Sequence, residues 1–536
     1  MRVGIAILLA QLGGCQLLAS EGSRARKADA AAGAGGASGT SGGTAGSGGL
    51  AGGGASGAGA GAGGTSGPLA VSPMATSLLA SAELAYRATG SGSGTVTWSV
   101  VEPGGGSVTP DGVYAAPLDE GTYHVRATTP SGSADASVVV RRVLAPVVLA
   151  SAGTISSASG QSQQSHLAYV PSTGEWWLFY DSSARPTSLL TRHSSDFRTW
   201  TDGAELMLPL PSAGDGRNLA VFYRRLGGVD VVHVTQGTLG SARTRYHVKA
   251  VVRAGAIEFG RAREVNSGSG DDPDGAATLV TASGHVIDAT GWLPTPRTDP
   301  LTPCGTGDVV VYEGDLDDGG TTSFDDMLYR QSVLWCVPQT VNARLLLESE
   351  GTVYHLFEDG GPGSDPTNVL FVIRPASGGW LPPEPASGPA VRPPAVFARE
   401  APYNVDDWTA IDLGGRIHAV RRLVDGGFEH RRKRAGDAVA WDDGDVIPSD
   451  PQRVGSGLFL GRYGTGLVLV AMGQDDTLRY IFWNGRGWGR WISLVAPQGR
   501  VRGYLSGAMP EGDARPALLW TQVSGNDFDL VGVQLP

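Results

Sequence analysis

Cysteine and charged residues are scarce in this chain of 536 residues, and both shortages exclude classes of protein. The three cysteines, Cys15, Cys304 and Cys336, are accompanied by no Cys-x-x-Cys pair and no His pair. A structural zinc site needs four such ligands, so no metal site is predicted. Charged residues make up 17% of the chain and its net charge is -11, without a basic stripe. Binding to nucleic acid through phosphate contacts is therefore excluded.

Sequence motifs of several common catalytic sites are absent as well. The chain has no Gly-x-x-x-x-Gly-Lys-[Ser/Thr] loop, no Gly-x-Ser-x-Gly elbow after a predicted strand and no His-Glu-x-x-His helix. Phosphoryl transfer, hydrolase-fold esterase activity and zinc-dependent proteolysis thus have no support, and no cofactor is expected. Beyond the first fifteen residues, no apolar run reaches the roughly 18 residues of a membrane-spanning helix.

Glycine, proline and apolar residues are plentiful. Hydrophobic residues make up 41% of the chain, which also has 81 Gly and 33 Pro. This composition is too apolar for wholesale disorder and too rich in turn residues for a helix bundle, so it indicates an all-β chain. The length predicts more than one domain.

The amino terminus has the pattern of an export signal. A short basic start, Met1-Arg2, precedes the apolar residues 3–10 and then Leu12-Gly13-Gly14-Cys15. This ending resembles the lipobox of bacterial lipoproteins. The resemblance implies a signal peptide over residues 1–14, acyl chains such as palmitate on Cys15, and anchoring to the bacterial envelope, in the outer membrane. The alternative is an ordinary signal peptide with an incidental Cys15.

The predicted export has a consequence for the two remaining cysteines. Cys304 and Cys336 would lie in an oxidising compartment, where they are predicted to form a disulfide; two separate buried thiols are the alternative.

Residues 30–67 are entirely Gly, Ala, Ser and Thr except for Leu50. Such a segment cannot bury a core, so residues 15–68 are predicted to be a flexible tether.

Residues 69–142 change to short strand-like runs. Their apolar residues alternate with polar ones around Trp98, which is typical of a β-sandwich. Trp98, the run Gly112-Val113-Tyr114-Ala115-Ala116-Pro117 and the run Gly121-Thr122-Tyr123 resemble bacterial immunoglobulin-like domains of the intimin and invasin type. The resemblance implies a spacer or adhesion module.

Residues 145–536 contain a degenerate repeat of seven units. Each unit has an apolar strand, a turn with Gly, a second apolar strand and a third strand. The first strands begin about 56 residues apart, near His166, Asn218, Ala277, Arg344, Trp408, Gly457 and Tyr504. Four-stranded units of this length predict a β-propeller, with seven blades favoured and five or six as alternatives because the third unit is irregular.

The ends of this region predict how the ring closes. The seventh unit ends after a third strand, residues 529–533, while an unassigned strand, residues 146–150, lies before the first unit. We expect these two strands to pair in one blade, which would join the two ends of the propeller.

One turn, Ser194-Ser195-Asp196-Phe197-Arg198-Thr199-Trp200, resembles the Asp boxes of sialidases and related propellers. The Asp accepts backbone N–H bonds in the turn and the Trp packs between blades. The turn lacks the glycine that usually follows the Asp. In those families the box is structural, so the resemblance implies architecture and not activity.

Candidate ligand-binding residues lie where the first strands enter the central funnel, since polar side chains from separate blades converge there. They are His166, Arg217, Asp272, Asp406, Trp408, Arg453 and Arg502. A hydrolase of sialidase or arabinanase type would use an Arg cluster and a carboxylate pair from the same set, namely Asp272, Asp406, Arg217, Arg453 and Arg502. The segment Asp271-Asp272-Pro273-Asp274-Gly275 is predicted to be a turn, with a role in a site as the alternative.

The sixth unit adds a second candidate site. Residues 475–491 look like blades of fucose-binding propeller lectins, which implies that Trp488 and Trp491 stack on sugar rings while Arg490 holds hydroxyl groups. The alternative is that these Trp residues pack between blades. The basic run at residues 430–434 is predicted to be a solvated strand face, with an anionic-polymer site as the alternative.

These observations favour a lipid-anchored cell-surface protein whose propeller binds glycans or another extracellular ligand without catalysis. A glycoside hydrolase of sialidase or arabinanase type is the first alternative. A scaffold that recognises a surface protein through its loops is the second. The expected partners are a glycan or surface protein and the membrane that holds the anchor.

Overall fold

Strands form the regular secondary structure of the described residues in this computed structural model, and no α-helix occurs among them. The structure describes residues 67–90, 95–142, 145–160, 163–209, 218–237, 245–266, 271–292, 308–315, 330–336, 344–359, 368–376, 379–381, 395–397, 408–423, 427–434, 441–442, 444–448, 454–463, 466–473, 476–495, 500–510 and 515–535. All of them belong to one compact unit, Thr65–Pro536. None of these residues lies in a helix long and apolar enough to cross a membrane.

The first nine strands build a sandwich of two sheets and a short strand pair. The strands are β1 (Ala70–Ser72), β2 (Ala75–Leu79), β3 (Glu83–Ala85), β4 (Arg87–Thr89), β5 (Thr97–Val100), β6 (Ser107–Val108), β7 (Val113–Ala115), β8 (Gly121–Thr129) and β9 (Gly132–Arg141). The sheets have the orders β2-β9-β8-β5 and β3-β7-β6, and β1 pairs with β4. The class of fold predicted for this region, a β-sandwich, is confirmed.

Alternation along the strands explains why the two sheets pack face to face. In β9 the side chains of Ala136, Val138 and Val140 are buried while their neighbours are more exposed, so one face of the strand is apolar. Tyr114 from the other sheet is fully buried and its hydroxyl donates to the carbonyl of Gly105 at 2.6 Å. These residues share one hydrophobic core.

The next strands form the first three blades of the propeller, after the lone strand β10 (Val147–Gly153). Blade 1 is β11 (Leu167–Val170), β12 (Glu175–Tyr180), β13 (Ser188–Ser194) and β14 (Thr201–Asp202), with β15 (Leu206–Met207) also on β13. Blade 2 is β16 (Leu219–Leu226), β17 (Val229–Gly237), β18 (Arg245–Arg253) and β19 (Ala256–Phe259), with β20 (Arg263–Asn266) also on β18. Blade 3 is β21 (Asp271–Val280), β22 (His285–Trp292), β23 (Asp308–Asp315) and β24 (Arg330–Cys336).

The remaining strands form blades 4 to 7. Blade 4 is β25 (Arg344–Ser349), β26 (Thr352–Asp359), β27 (Asn368–Arg374) and β28 (Ala395–Phe397). Blade 5 is β29 (Trp408–Asp412), β30 (Arg416–Arg422), β31 (Phe428–Arg434) and β32 (Asp445–Ile447). Blade 6 is β33 (Val454–Tyr463), β34 (Gly466–Gly473), β35 (Leu478–Trp483) and β36 (Ile492–Val495). Blade 7 is β37 (Val501–Ala508), β38 (Ala517–Ser524) and β39 (Asp527–Gln534), completed by β10.

The seven antiparallel sheets form a closed ring. The first strand of each blade contacts the first strand of the next, and β37 of blade 7 contacts β11 of blade 1. Strand β10 pairs antiparallel with β39, with Val147 opposite Gly532. The predicted seven-bladed propeller and its closure by the first and last strands are confirmed. We call the end of the ring where the first strands begin the front face, and the opposite end the back face.

The sandwich and the propeller share a continuous core. The cluster that contains Val138 of the sandwich also contains Tyr480 of blade 6 and Trp520 of blade 7. The hydroxyl of Tyr480 donates to the carbonyl of Ala80 at 2.8 Å, a bond that is buried. Since apolar burial drives such packing, the sandwich is held firmly on blades 6 and 7.

The turn at Asp196 has the hydrogen bonds expected of an Asp box. Its carboxylate accepts the backbone N–H groups of Arg198 at 2.7 Å and Thr199 at 2.8 Å. These bonds lower the pKa of Asp196 to about 2, led by the bond from Thr199. Phe197 takes the left-handed φ of 60° where such boxes usually have glycine. Its buried ring packs edge-on against Trp176 and Trp200, which offsets the strain of that conformation.

Replacing Asp196 by alanine is expected to lower the free energy of unfolding by about 1 to 2 kcal/mol, the cost of losing a side chain that caps backbone N–H groups. Urea unfolding followed by tryptophan fluorescence measures this change. Asp202 provides the control, because it is 85% exposed and its contact is a surface ion pair with Arg192 at 2.9 Å. An Asp202→Ala loss as large as that of Asp196→Ala would contradict a special role for the turn.

Candidate functional site

The first strands of the blades surround a cavity of about 210 Å³ on the propeller axis. Its walls are mostly apolar and include Phe222, Leu345, Ile411 and Phe459. Successive residues of one first strand contribute to this lining, as Leu345, Leu346 and Leu347 do in blade 4. Polar groups in the lining are uncharged in every described case, and they are Gln163, Gln164, Ser165, Thr278 and Thr409.

A segment rich in Ser and Gln covers the front end of this cavity. It connects β10 to β11 and includes residues 155–166, of which 161–162 lie outside the described residues. The amide of Gln163 donates to the carbonyl of Trp408 in blade 5 at 2.6 Å, although Gln163 itself precedes blade 1. The backbone N–H of Ser159 donates to the hydroxyl of Thr521 in blade 7 at 3.0 Å. The segment thus spans the ring and places buried amides over the cavity.

Sequence reasoning missed this cap. Gln163 and Gln164 are 8% and 4% exposed, so their amides belong to the interior and not to a solvated linker. Buried amides need hydrogen-bond partners, which gives the segment a fixed position. The available signal was a polar run next to the first apolar strand. Its place over the axis is shown by the bond from Gln163 to Trp408 in blade 5, since β10 and β11 themselves lie in the adjacent blades 7 and 1.

The predicted funnel residues fall into two groups. His166 and Trp408 lie at the beginning of first strands as expected, but their side chains are buried, at 1% and 2% exposure. The backbone carbonyl of His166 accepts a bond from Phe179 at 2.9 Å. The side chains of five other candidates fall outside the described part of the structure, namely Arg217, Asp272, Asp406, Arg453 and Arg502.

Two of those five still have a place in the backbone pairing. Asp272 lies in β21 opposite Gly291, and Arg502 lies in β37 opposite Thr521. The turn predicted for residues 271–275 is therefore wrong, since β21 begins at Asp271. The register shifts between Asp272 and Ala277, so the strand accommodates this stretch as an irregularity.

A buried polar network lies behind the cavity wall between blades 2 and 3. Thr278 of the wall is the cross-strand neighbour of Asp288. The carboxylate of Asp288 accepts a bond from the hydroxyl of Thr235 at 2.8 Å and contacts Nδ1 of His247 at 2.7 Å. Nε2 of His247 lies 3.0 Å from Nδ1 of His233. Thr235, Asp288 and both imidazoles are fully buried.

The charges in this network follow from its surroundings. Burial alone would raise the pKa of Asp288, but the neighbouring His247 and the hydrogen bonds to the carboxylate outweigh it and lower the pKa below its usual value. Burial, with smaller contributions from His247 and Lys249, lowers the pKa of His233 well below the usual value. Asp288 is thus an anion and His233 is neutral at pH 7. The network orients the wall and has no exposed member.

The sixth-blade residues have different surroundings. The indole N–H of Trp488 donates to Nδ1 of His430 in blade 5 at 3.2 Å. That of Trp491 donates to the carbonyl of Pro448, also next to blade 5, at 2.6 Å. Both tryptophans thus pack against the neighbouring blade, whereas Arg490 is exposed.

The basic run in blade 5 is not the solvated face that its composition predicts. His430 and Lys433 are 0% and 1% exposed. The ammonium of Lys433 lies 5.3 Å from the ring centre of Phe371 in blade 4, because successive side chains of β31 alternate between the two adjacent blades. Arg431 and Arg432 are only partly exposed and contact carboxylates.

The cysteine predictions fall mostly outside the described structure. Cys15 and Cys304 are not among the described residues, and Cys336 ends β24 with its side chain outside the description. Among the described residues, no group of three or more His, Cys, Asp or Glu side chains is arranged to hold a metal ion.

Comparison with known proteins gives likenesses of structure alone. No protein-family model matches the sequence, and no curated protein matches it significantly. An alpha-L-arabinanase of Penicillium chrysogenum has a TM-score of 0.36 and 13% identity over 59% of this chain and 92% of that one. The Aleuria aurantia lectin has a TM-score of 0.37 and 12% identity, over 59% of this chain and 95% of that one. A Trypanosoma rangeli sialidase has a TM-score of 0.34 and 11% identity, over 76% of this chain and 56% of that one.

Proposed function

We propose that this chain is a lipid-anchored cell-surface protein whose propeller binds a neutral sugar residue of a glycan in the capped axial cavity, without catalysis. The observation that carries the proposal is the lining of that cavity, which combines amide and hydroxyl groups with apolar walls. Sugars present hydroxyl groups and C–H surfaces, and binding sites combine a few polar groups with apolar walls in this way.

The size and charge of the cavity limit the ligand. A volume of about 210 Å³ is below the roughly 300 to 1,000 Å³ that holds a drug-sized molecule, so it suits a single ring. The described polar groups of the lining are neutral, which favours an uncharged sugar over an acidic one. The signal and tether inferred from residues 1–68 support presentation at the envelope surface. A glycoside hydrolase and a protein-binding scaffold remain the alternatives that the experiment distinguishes.

Replacing Thr409 by valine is expected to weaken glycan binding at least tenfold. The change keeps the shape of the side chain and removes one hydroxyl group from the lining, which leaves a sugar hydroxyl without its partner. The measurement is a glycan-array screen of the full-length protein, followed by titration of the best ligand and by an assay for hydrolysis of that ligand. Thr352→Val, a like change on the second strand of blade 4, provides the control.

Each alternative has its own outcome. Binding that is lost in Arg490→Ala and kept in Thr409→Val would contradict the axial site and place the ligand on blade 6. Turnover that is lost in Asp272→Asn or Asp406→Asn would contradict the non-catalytic proposal. If no glycan binds or reacts, the glycan proposal fails and a protein partner is favoured.

A further inference from the structure

Two arginines on the back face of blade 5 lie directly opposite each other, and neither forms an ion pair with a described carboxylate. Arg416 begins β30, Arg434 ends β31, and the two are cross-strand partners. Both side chains are exposed, and neither has an ion pair or hydrogen bond among the described residues. Glu350, whose carboxylate lies beside Gly415, pairs with neither of them.

Three other arginines of this hairpin form ion pairs with carboxylates. Arg432 contacts Asp442 at 2.6 Å and Asp445 at 3.1 Å. Arg421 and Arg431 each lie 2.6 Å from Glu429. Like charges at directly opposed positions of a sheet are unfavourable, and a guanidinium cannot lose its proton to relieve the repulsion. The pair Arg416 and Arg434 is therefore an unbalanced feature of the hairpin.

The hairpin face that carries this pair turns toward blade 6. Arg416 and His418 are two residues apart on β30, so they share one face of the strand. The ring of His418 contacts Trp483 of blade 6, with 4.9 Å between ring centres. The two arginines thus lie at the back end of the cleft between blades 5 and 6.

The hydrogen bonds of this cleft assign the proton on His418. Trp488 can only donate, so Nδ1 of His430 accepts its bond and the proton of His430 is on Nε2. Nε2 of His430 lies 2.9 Å from Nδ1 of His418, which is therefore the acceptor. The proton of His418 is on Nε2, for which the structure gives no acceptor among its described residues.

A buried indole adds a second donor without an acceptor. Trp483 is 7% exposed, and its N–H group has no partner among the described residues. It lies against His418 and within 5.9 Å of the guanidinium of Arg432. Buried N–H groups are normally paired, so this orphan donor points to an acceptor that the described residues do not supply.

We propose that Arg416 and Arg434 form an anion site at the back end of the cleft between blades 5 and 6, and that its ligand is a phosphate group. Two guanidinium forks on adjacent strands match the several oxygens of a tetrahedral dianion, which would cancel their mutual repulsion. His418 and Trp483 supply further N–H groups on the same side of the hairpin. The site lies at the opposite end of the blades from the front of the axial cavity, so it is independent of the proposed glycan site. The phosphate is either free in solution or part of a lipid headgroup.

Titration of the full-length protein with inorganic phosphate at pH 7.5 and constant ionic strength tests the site. The expected result is saturable binding by calorimetry and a rise in the melting temperature that sodium chloride at equal ionic strength does not give. Arg434→Gln is expected to weaken the binding at least tenfold. The same variant is expected to melt at a higher temperature than the unchanged protein in phosphate-free buffer, because the like-charge repulsion is gone. Arg490→Gln, which removes an exposed arginine from blade 6, is the matched control.

The source of the phosphate is tested with vesicles. Sedimentation with phosphatidylglycerol vesicles that Arg416→Gln abolishes, without saturable binding of inorganic phosphate, would identify a lipid headgroup as the ligand. Saturable binding of inorganic phosphate that Arg416→Gln abolishes would identify a soluble phosphate. The proposal is overturned if the double variant Arg416→Gln/Arg434→Gln binds both probes as the unchanged protein does, or if neither probe binds.

Discussion

Replacing Asp288 by alanine is expected to lower the free energy of unfolding by about 3 to 5 kcal/mol, because removing one member of a buried charged network leaves the others uncompensated. Asp288 is fully buried and accepts bonds from Thr235 at 2.8 Å and His247 at 2.7 Å. Without the carboxylate, the hydroxyl of Thr235 and the Nδ1 group of His247 lose their acceptor inside the protein. Urea unfolding monitored by circular dichroism measures the change.

Two further variants make this expectation specific to the network. Asp288→Asn retains the size of the side chain and one acceptor oxygen, so a smaller loss is expected from it than from alanine. Glu258→Ala removes an exposed carboxylate from the outer strand of blade 2 and is expected to change the stability by less than about 0.5 kcal/mol. A loss for Asp288→Ala that is no greater than for Glu258→Ala would show that the network contributes nothing to folding.

The propeller was predictable from the sequence because each blade repeats the same local pattern. Apolar strands separated by Gly turns recur seven times, and a missing fourth strand at one end matches an extra strand at the other. The observed pairing of Val147 with Gly532 agrees with this match between a missing and an extra strand. Such signals are local, because the burial of a strand depends on its own side chains.

The cap and the polar networks were not predictable in this way. Gln163 and Trp408 are 245 residues apart in the sequence, and their bond exists only because the ring brings blades 1 and 5 around one axis. Thr235, His247 and Asp288 come from two blades and have no fixed spacing that would distinguish them from isolated polar residues. Strand register and the order of the blades bring these residues together, and neither can be inferred from the amino-acid composition.

The basic hairpin of blade 5 is another feature whose burial was not predictable from its own sequence. Its run of four cations at residues 431–434 indicates a solvated face, yet alternate side chains of β31 face blades 4 and 6. Lys433 is buried as a result, and Arg432 finds its carboxylate partners Asp442 and Asp445. A charge run within a strand that has sheets on both sides therefore requires the register to be known before its exposure can be inferred.

Lowering the pH from 7.5 to 5 is expected to reduce the free energy of unfolding by about 3 to 4 kcal/mol through His418 and His430. Burial is the main cause that lowers the pKa of His418 to about 4, followed by the charges of Arg432 and Arg416. Burial, then His418 and Arg432, lowers the pKa of His430 to about 3. The folded protein thus keeps both imidazoles neutral throughout this range.

The sign of this effect follows from the unfolded chain, in which each imidazole has its usual pKa of 6.5. As the pH falls below 6.5, the unfolded state takes up protons that the folded state does not, so folding becomes less favourable. Above pH 7.5 neither state is protonated, and the two imidazoles no longer affect the stability. Below about pH 3 both states are protonated and the loss reaches its limit. His233, whose pKa is also lowered, acts in the same direction.

Urea unfolding at several pH values between 7.5 and 5 measures the slope of stability against pH, and most carboxylates stay ionised in this range. The double variant His418→Gln/His430→Gln is expected to lose most of the slope that the two imidazoles cause, whatever its stability at pH 7.5. His124→Gln is the control, because that side chain is 40% exposed in the sandwich. An unchanged slope in the double variant would mean that the imidazoles gain protons in the folded state as readily as in the unfolded chain. The bond from Trp488 to Nδ1 of His430 argues against this, since a proton on Nδ1 would break it.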